Sequence, residues 1–254
     1  MSRSNPHESL QNVASRFYEW NSDDKCFKYF DKTLGTPDME GKVKGETVNV
    51  KLPFSFLVLD VLVTVKGYNE PSNKSYWSNE VRDLKKDIIT VKSKSGVEAS
   101  GTYEHIKEKL ANSGAKYVQS VYVAMKSKDG LEIANIQMKG AALNAFIDFC
   151  KTVKIHEIGV TVKKSIEKKK GRNIYHEPVF EAMTISEKAN EQAIELDKQL
   201  QTYLSAYLAK NASESVQPAT QPSKPSNEPV QSNKSSHIDS VDDIDINIDD
   251  DSQF

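Results

Sequence analysis

The chain has 254 residues, enough for one sizeable domain or two small ones, and its 8% aromatic and 28% charged content excludes a helical membrane class, as no apolar run nears the roughly 20 residues of a spanning helix. Cys26 and Cys150 are far apart without Cys-x-x-Cys spacing and the five histidines are scattered, so neither a disulfide framework nor a metal site is indicated; the polar Met1–Leu10 start lacks the apolar core of a signal peptide, which leads us to expect a cytosolic protein. The formal net charge of −2 hides an asymmetry: after Lys210 nine acids face two lysines, a tail of −7 on a body of +5, a division that suits a polyanion binder.

In chain order, Cys26-Phe27-Lys28-Tyr29-Phe30-Asp31-Lys32 mixes aromatics with lysines and reads as an N-terminal strand or arm, with Phe27 and Phe30 better suited to the core than Tyr29. Val43–Val50 and Leu52–Gly67 read as strands, the second long and rich in Val and Phe. After a turn over Tyr68–Asn73, Lys74–Val81 returns as a strand and Ile88–Lys94 forms a short one. Tyr103–Asn112 is helical by pattern, with Gly114 as its stop. Tyr117–Met125 and Leu131–Met138 form a hairpin about Lys128-Asp129-Gly130. An amphipathic helix over Gly140–Val153 precedes a second hairpin, Gly159–Ile166 with Asn173–Ala182, turning at Lys170-Gly171-Arg172. A last helix opens at a Thr184-x-x-Glu187 capping box and runs to about Ala209, its apolar positions Ala193, Leu196, Leu200, Tyr203 and Tyr207 packing on the body. The expectation is thus a mainly β, α+β domain over residues 1–210. Residues 211–237, rich in Ser, Pro, Asn and Gln, form a linker with nothing to bury, and residues 238–254 an acidic tail.

Chemistry-bearing residues fall in few places. There is no phosphate-cradling Gly-rich loop, nucleophile elbow or paired-ligand motif, so a non-catalytic protein without a cofactor is expected. Asp148, Glu157, Glu177 and Glu181 are the only carboxylates we weigh as a nuclease-type metal cluster, against the plain reading of solvated acids. Tyr76 and Trp77, beside Lys74, must point to opposite faces of their strand, so one is presented outward as a platform on which a base can stack; the plain alternative is a cross-strand aromatic pair. Lys28 and Tyr29 offer the same chemistry. Lys163, Lys164, Lys168, Lys169, Lys170 and Arg172, followed by Tyr175, form the densest basic cluster, able to line a row of phosphates or simply to solvate a turn. At the other end, Asp249, Asp250 and Asp251 precede Phe254, an aromatic anchor beside a carboxylate that suits an apolar pocket rimmed by cations.

Several blocks together resemble a family: Phe27 to Gly35, Tyr76 to Val81, Gly101 to Lys107, Lys116 to Val123 and Tyr175 to Phe180, joined by the acidic tail ending in Phe, are similar to tailed-phage single-stranded-DNA-binding proteins. That resemblance implies an OB-fold, a five-stranded Greek-key barrel whose face and loops hold single-stranded DNA, and a tail that recruits replication, recombination and repair enzymes. The chain departs from the minimal barrel by a second central helix and a long terminal helix, and it lacks the zinc ligands of some phage versions. The rival readings are a metal-dependent nuclease and a strand-annealing or RNA-binding module. Oligomeric state is not legible here.

Overall fold

Phe54, Phe56, Val58, Val61, Val63 and Val65 are stiff, bulky side chains that fit a pleated surface better than a helix, and they build the longest strand of the fold. The computed structural model describes residues 12–36, 42–111 and 113–215. Its elements are β1 (Phe17–Asn21), β2 (Cys26–Asp31), β3 (Glu46–Val50), β4 (Phe54–Asn69), β5 (Lys74–Ser78), β6 (Ile89–Ser93), β7 (Gly96–Gly101) and α1 (Tyr103–Leu110). There follow β8 (Ala115–Ser127), β9 (Gly130–Met138), α2 (Gly140–Cys150), β10 (Gly159–Lys170), β11 (Asn173–Met183) and α3 (Glu187–Ser215). Of the expected linker, residues 211–215 are helical, as the end of α3; its remainder and the tail, with Asp249, Asp250, Asp251 and Phe254, lie outside the described residues. Among those described, no helix is long and apolar enough to cross a membrane.

All the strands join one mixed sheet of eleven, in the order β3-β2-β1-β9-β8-β4-β5-β6-β7, with β10 beside the start of β4 and β11 beyond it. The closed five-stranded barrel implied by the resemblance is therefore not what is seen: the fold is mixed α/β with a large, mostly open sheet and three helices. The physical reason is that β4 is long enough to take different partners at its two ends, β10 at Phe54–Leu57 and β5 at Lys66–Asn69, while β8 runs along its other edge. No ladder joins β11 to β1. Instead the Trp20 indole N–H donates to the His176 carbonyl (2.8 Å), and Ser22 Oγ bonds both the carbonyl (3.0 Å) and the N–H (2.6 Å) of His176.

The sheet is buried on both faces. On one, α2 brings Ala142, Leu143 and Phe146 onto Tyr18, Phe54, Val121 and Ile136, where Phe27 stacks on Phe54 with ring centres 4.1 Å apart. The same face continues under α1, where Ile106 and Leu110 cover Val65, Ile89 and Val91. On the other face α3 sets Leu200, Tyr203 and Leu204 against Leu62, Tyr122 and Ile133. The three-and-four spacing of its apolar residues thus serves packing on the sheet. Ser186, and not Thr184, opens the helix: its Oγ accepts from the Ala189 N–H (3.3 Å) and its carbonyl from Asn190 (3.0 Å). α3 continues to Ser215, past Lys210. Gly67 is required where β4 crosses the start of β8, since a Cβ there would stand 2.0 Å from the Gly114 carbonyl oxygen.

Two strands escape the sequence reading. β1 is short and mixes Glu19 and Asn21 with its aromatics, and it pairs in parallel with β9 (Phe17↔Asn135), a partner remote in sequence. β7 is polar and bounded by glycines; its pairing with β6 supplies what its composition lacks.

Candidate nucleic-acid interface

Directly paired residues in a sheet project to the same face, and so do residues two apart along a strand. Lys28 pairs with Glu19, Glu19 with Gln137, Gln137 with Ser120 and Ser120 with Leu62, so all these lie on the α3 face. Two and four residues beyond Leu62 come Thr64 and Lys66; Lys66 pairs with Lys116 on one side and with Trp77 on the other, and Trp77 with Lys92. Tyr68 and Phe30 follow by alternation, and Phe17 stands opposite Asn135.

The result is a strip across seven strands, β2 to β6 in sheet order, beside the part of the sheet that α3 covers. It exposes four aromatic rings, Phe17 (42%), Phe30 (57%), Tyr68 (51%) and Trp77 (41%). Interleaved with them are Lys28, Lys66, Lys92, Lys116 and, just past β9, Lys139. The Lys66 ammonium lies 5.9 Å from the centre of the Phe17 ring, a cation–π approach that ties β4 to β1 over the intervening strands. Burial lowers the Lys66 pKa below that of an ordinary lysine, with Glu80 acting in the opposite sense.

Beneath the strip the sheet is polar. Asn135 donates to Ser120 Oγ (2.8 Å), Gln137 to Asn135 Oδ1 (2.5 Å), and the Ser120 hydroxyl and the Tyr122 phenol (2.8 Å) both donate to the Glu80 carboxylate. The Glu80 N–H in turn donates to the Tyr207 phenol oxygen (2.9 Å), which locks α3 to the margin of the strip. Glu19 is the strip's own acid, bonded to Lys28 (3.1 Å) and Lys139 (2.5 Å). Burial opposes its ionisation, but the two lysines outweigh that and hold its pKa below the usual carboxylate value.

The structure separates the residues singled out from sequence. Lys28 and Trp77 lie on the strip. Tyr76 faces the opposite side, against the core under α1, and Lys74, 5.6 Å from its ring, is ion-paired with Glu98 (2.6 Å). Tyr29 and Phe30 exchange the places expected of them: with Phe27 fully buried, alternation sends Tyr29 inward beside Tyr18 (5.1 Å) and Phe30 outward. The basic cluster is on the β10–β11 hairpin, where Lys163 pairs with Glu181 (2.9 Å) and Lys168 with Glu177 (3.6 Å), while Lys164, Lys169, Lys170 and Arg172 are exposed and Tyr175 is half-buried. Phe17, Lys66, Lys92, Lys116, Lys139 and Tyr68 were missed, because only strand register brings them together; exposed aromatics beside lysines at alternate strand positions were the available signal.

The four carboxylates weighed as a metal cluster each bond a different lysine, Asp148 with Lys151, Glu157 with Lys154, Glu177 with Lys168 and Glu181 with Lys163. Among the described residues no group of three or more His, Cys, Asp or Glu side chains is placed to hold a metal ion. Comparison of the chain with known protein families, with curated proteins and with solved structures finds no match.

Proposed function

We propose that this chain is a non-catalytic single-stranded-DNA-binding protein, of the kind that coats unwound DNA in phage replication and recombination within the host cytosol. One observation carries the reading: four exposed aromatic rings and five lysines share one face of the sheet. Unpaired bases stack on such rings whatever their sequence, at roughly 1–3 kcal/mol each, while the lysines neutralise the phosphates between them. Paired bases are already stacked on each other and cannot use the rings. In the same reading the strands from β1 through β9, β8 and β4 to β10 are an OB-type barrel, left open where side-chain hydrogen bonds from Trp20 and Ser22 reach His176. The acidic tail with Phe254 then serves as the docking peptide for replication and recombination enzymes.

The deciding experiment is a titration of the full chain against labelled single-stranded DNA, blunt duplex and single-stranded RNA over a range of salt. Single strands are expected to bind more tightly than duplex, with a log–log salt slope of about −0.7 per phosphate contacted. Equal affinity for blunt duplex at the same salt sinks the proposal, and tighter binding of RNA than DNA would redirect it.

A further inference from the structure

The β10–β11 hairpin differs from the strip in its chemistry. β10 pairs with β4 only over Gly159–Val162, and from Lys164↔Val179 to Lys170↔Asn173 the two strands pair with each other alone, a free ribbon about 23 Å long at ~3.3 Å per residue. Its last fixed point is His176, bonded to Trp20 and Ser22 at the β1–β2 turn; Glu167 to Ile174, beyond that point, are all exposed. Cations occupy both faces, Lys164 and Lys170 on one and Lys169 on the other, with Arg172 in the turn, and these four have no ion pair among the described residues. The apolar groups that the arm exposes are aliphatic, Ile166 and Ile174. It has only the half-buried Tyr175 to offer an unpaired base.

We propose that this arm is a duplex-binding element, so that the protein engages the junction between single-stranded and double-stranded nucleic acid, with the unpaired strand on the strip and the paired segment on the arm. The junction preference rests on the single-strand reading of the strip; the duplex contact does not. A two-stranded β-ribbon matches the width of a B-form major groove, about 12 Å. A groove has a phosphate row along each wall, which suits cations on two faces and a turn, whereas a lone strand presents one row. Binding that lacks stacking platforms does not discriminate against paired bases.

The test measures binding of the full chain to a single-stranded oligonucleotide, a blunt duplex and a duplex with a single-stranded extension. The wild type is expected to bind the extended duplex at least tenfold more tightly than either other probe. Lys169→Ala/Lys170→Ala/Arg172→Ala should lose that advantage and lower blunt-duplex affinity at least tenfold. It should also flatten the duplex salt slope by about 0.9 per phosphate lost, leaving single-strand affinity within twofold. Lys169→Arg/Lys170→Arg should behave as wild type, which distinguishes lost charge from a damaged ribbon. Full duplex affinity in the triple variant overturns the proposal, as does an equal loss on single strand and duplex. Failure of the single-strand reading has a different signature: Phe17→Ala/Trp77→Ala would bind single strands as wild type does while the arm variant still lost duplex.

Discussion

Glu19 sets two opposing requirements on the strip. Its carboxylate holds Lys28 and Lys139 in place, yet under the proposed function it puts a negative charge where phosphates would bind. Glu19→Gln should therefore tighten single-strand binding several-fold at low salt, with the gain fading as salt screens it. The same residue ties stability to acid. Its folded pKa is held below the unfolded value of about 4.3, so its contribution is complete above that pH and is lost as pH falls through the folded value. Melting temperatures from pH 6 to pH 3 should fall less steeply in Glu19→Gln than in the wild type. Lys66 has the same sign in an alkaline window, though here burial of the cation is a cost and not a gain. Burial lowers its pKa, so between that value and the unfolded ~10.4 the unfolded chain carries more protons and stability from this group rises with pH, while the cation proposed to meet phosphate is lost. Lys66→Met should abolish that alkaline fall in affinity, and an affinity profile identical to wild type would remove Lys66 from the interface. Trp77 provides the optical readout: its fluorescence should be quenched by oligonucleotide, and Trp77→Ala should weaken single-strand binding by roughly 1–3 kcal/mol with an unchanged thermal transition. A collapsed transition would make it a structural residue.

Among the elements, α3 reads most directly from sequence, since apolar residues three and four apart can only form a helical stripe. Ser186→Ala should cost about 1 kcal/mol through its lost cap, and Leu200→Ala, at a fully buried contact with the sheet, roughly 2–5 kcal/mol; chemical denaturation measures both. The two hairpins β8–β9 and β10–β11 were equally legible, each from a turn with a glycine between β runs. The period of two puts Tyr76 and Trp77 on opposite faces of β5, but it does not say which parity is buried. For β2 the answer comes from β4, because Phe27 stacks on Phe54 and thereby turns Phe30 out. The strip was illegible for a related reason. Phe17, Lys66, Trp77 and Lys139 are neighbours through pairings such as β1 with β9 and β4 with β5, and nothing local to any of them encodes its partner.

At the scale of the whole molecule, charge is divided between a basic body and an acidic end. Deleting residues 238–254 should raise single-strand affinity modestly at low salt, an effect that disappears as salt rises, because the deletion removes anions able to compete for the same lysines. Deleting Phe254 alone keeps every aspartate. DNA affinity should then be unchanged while capture of replication and recombination proteins is lost. Equal capture with and without Phe254 would reduce the tail to a solubility device.

The length of β4 has a mechanical consequence. At ~3.3 Å per residue its 16 residues span about 53 Å, with the β10–β11 ribbon attached at one end and the β5 hairpin at the other. In the proposed junction complex, a pull between duplex and single strand would run along this one strand. Hydrogen bonds in an antiparallel ladder lie perpendicular to the strand, so such a load passes along the β4 backbone and crosses to β10 in shear over the four pairs from Gly159↔Leu57 to Val162↔Phe54, whose bonds do not open one at a time. A protein stretched between the arm and the tip of the β5 hairpin should thus resist far more force than one peeled from its N-terminus, where β1 meets β9 through only three residue pairs.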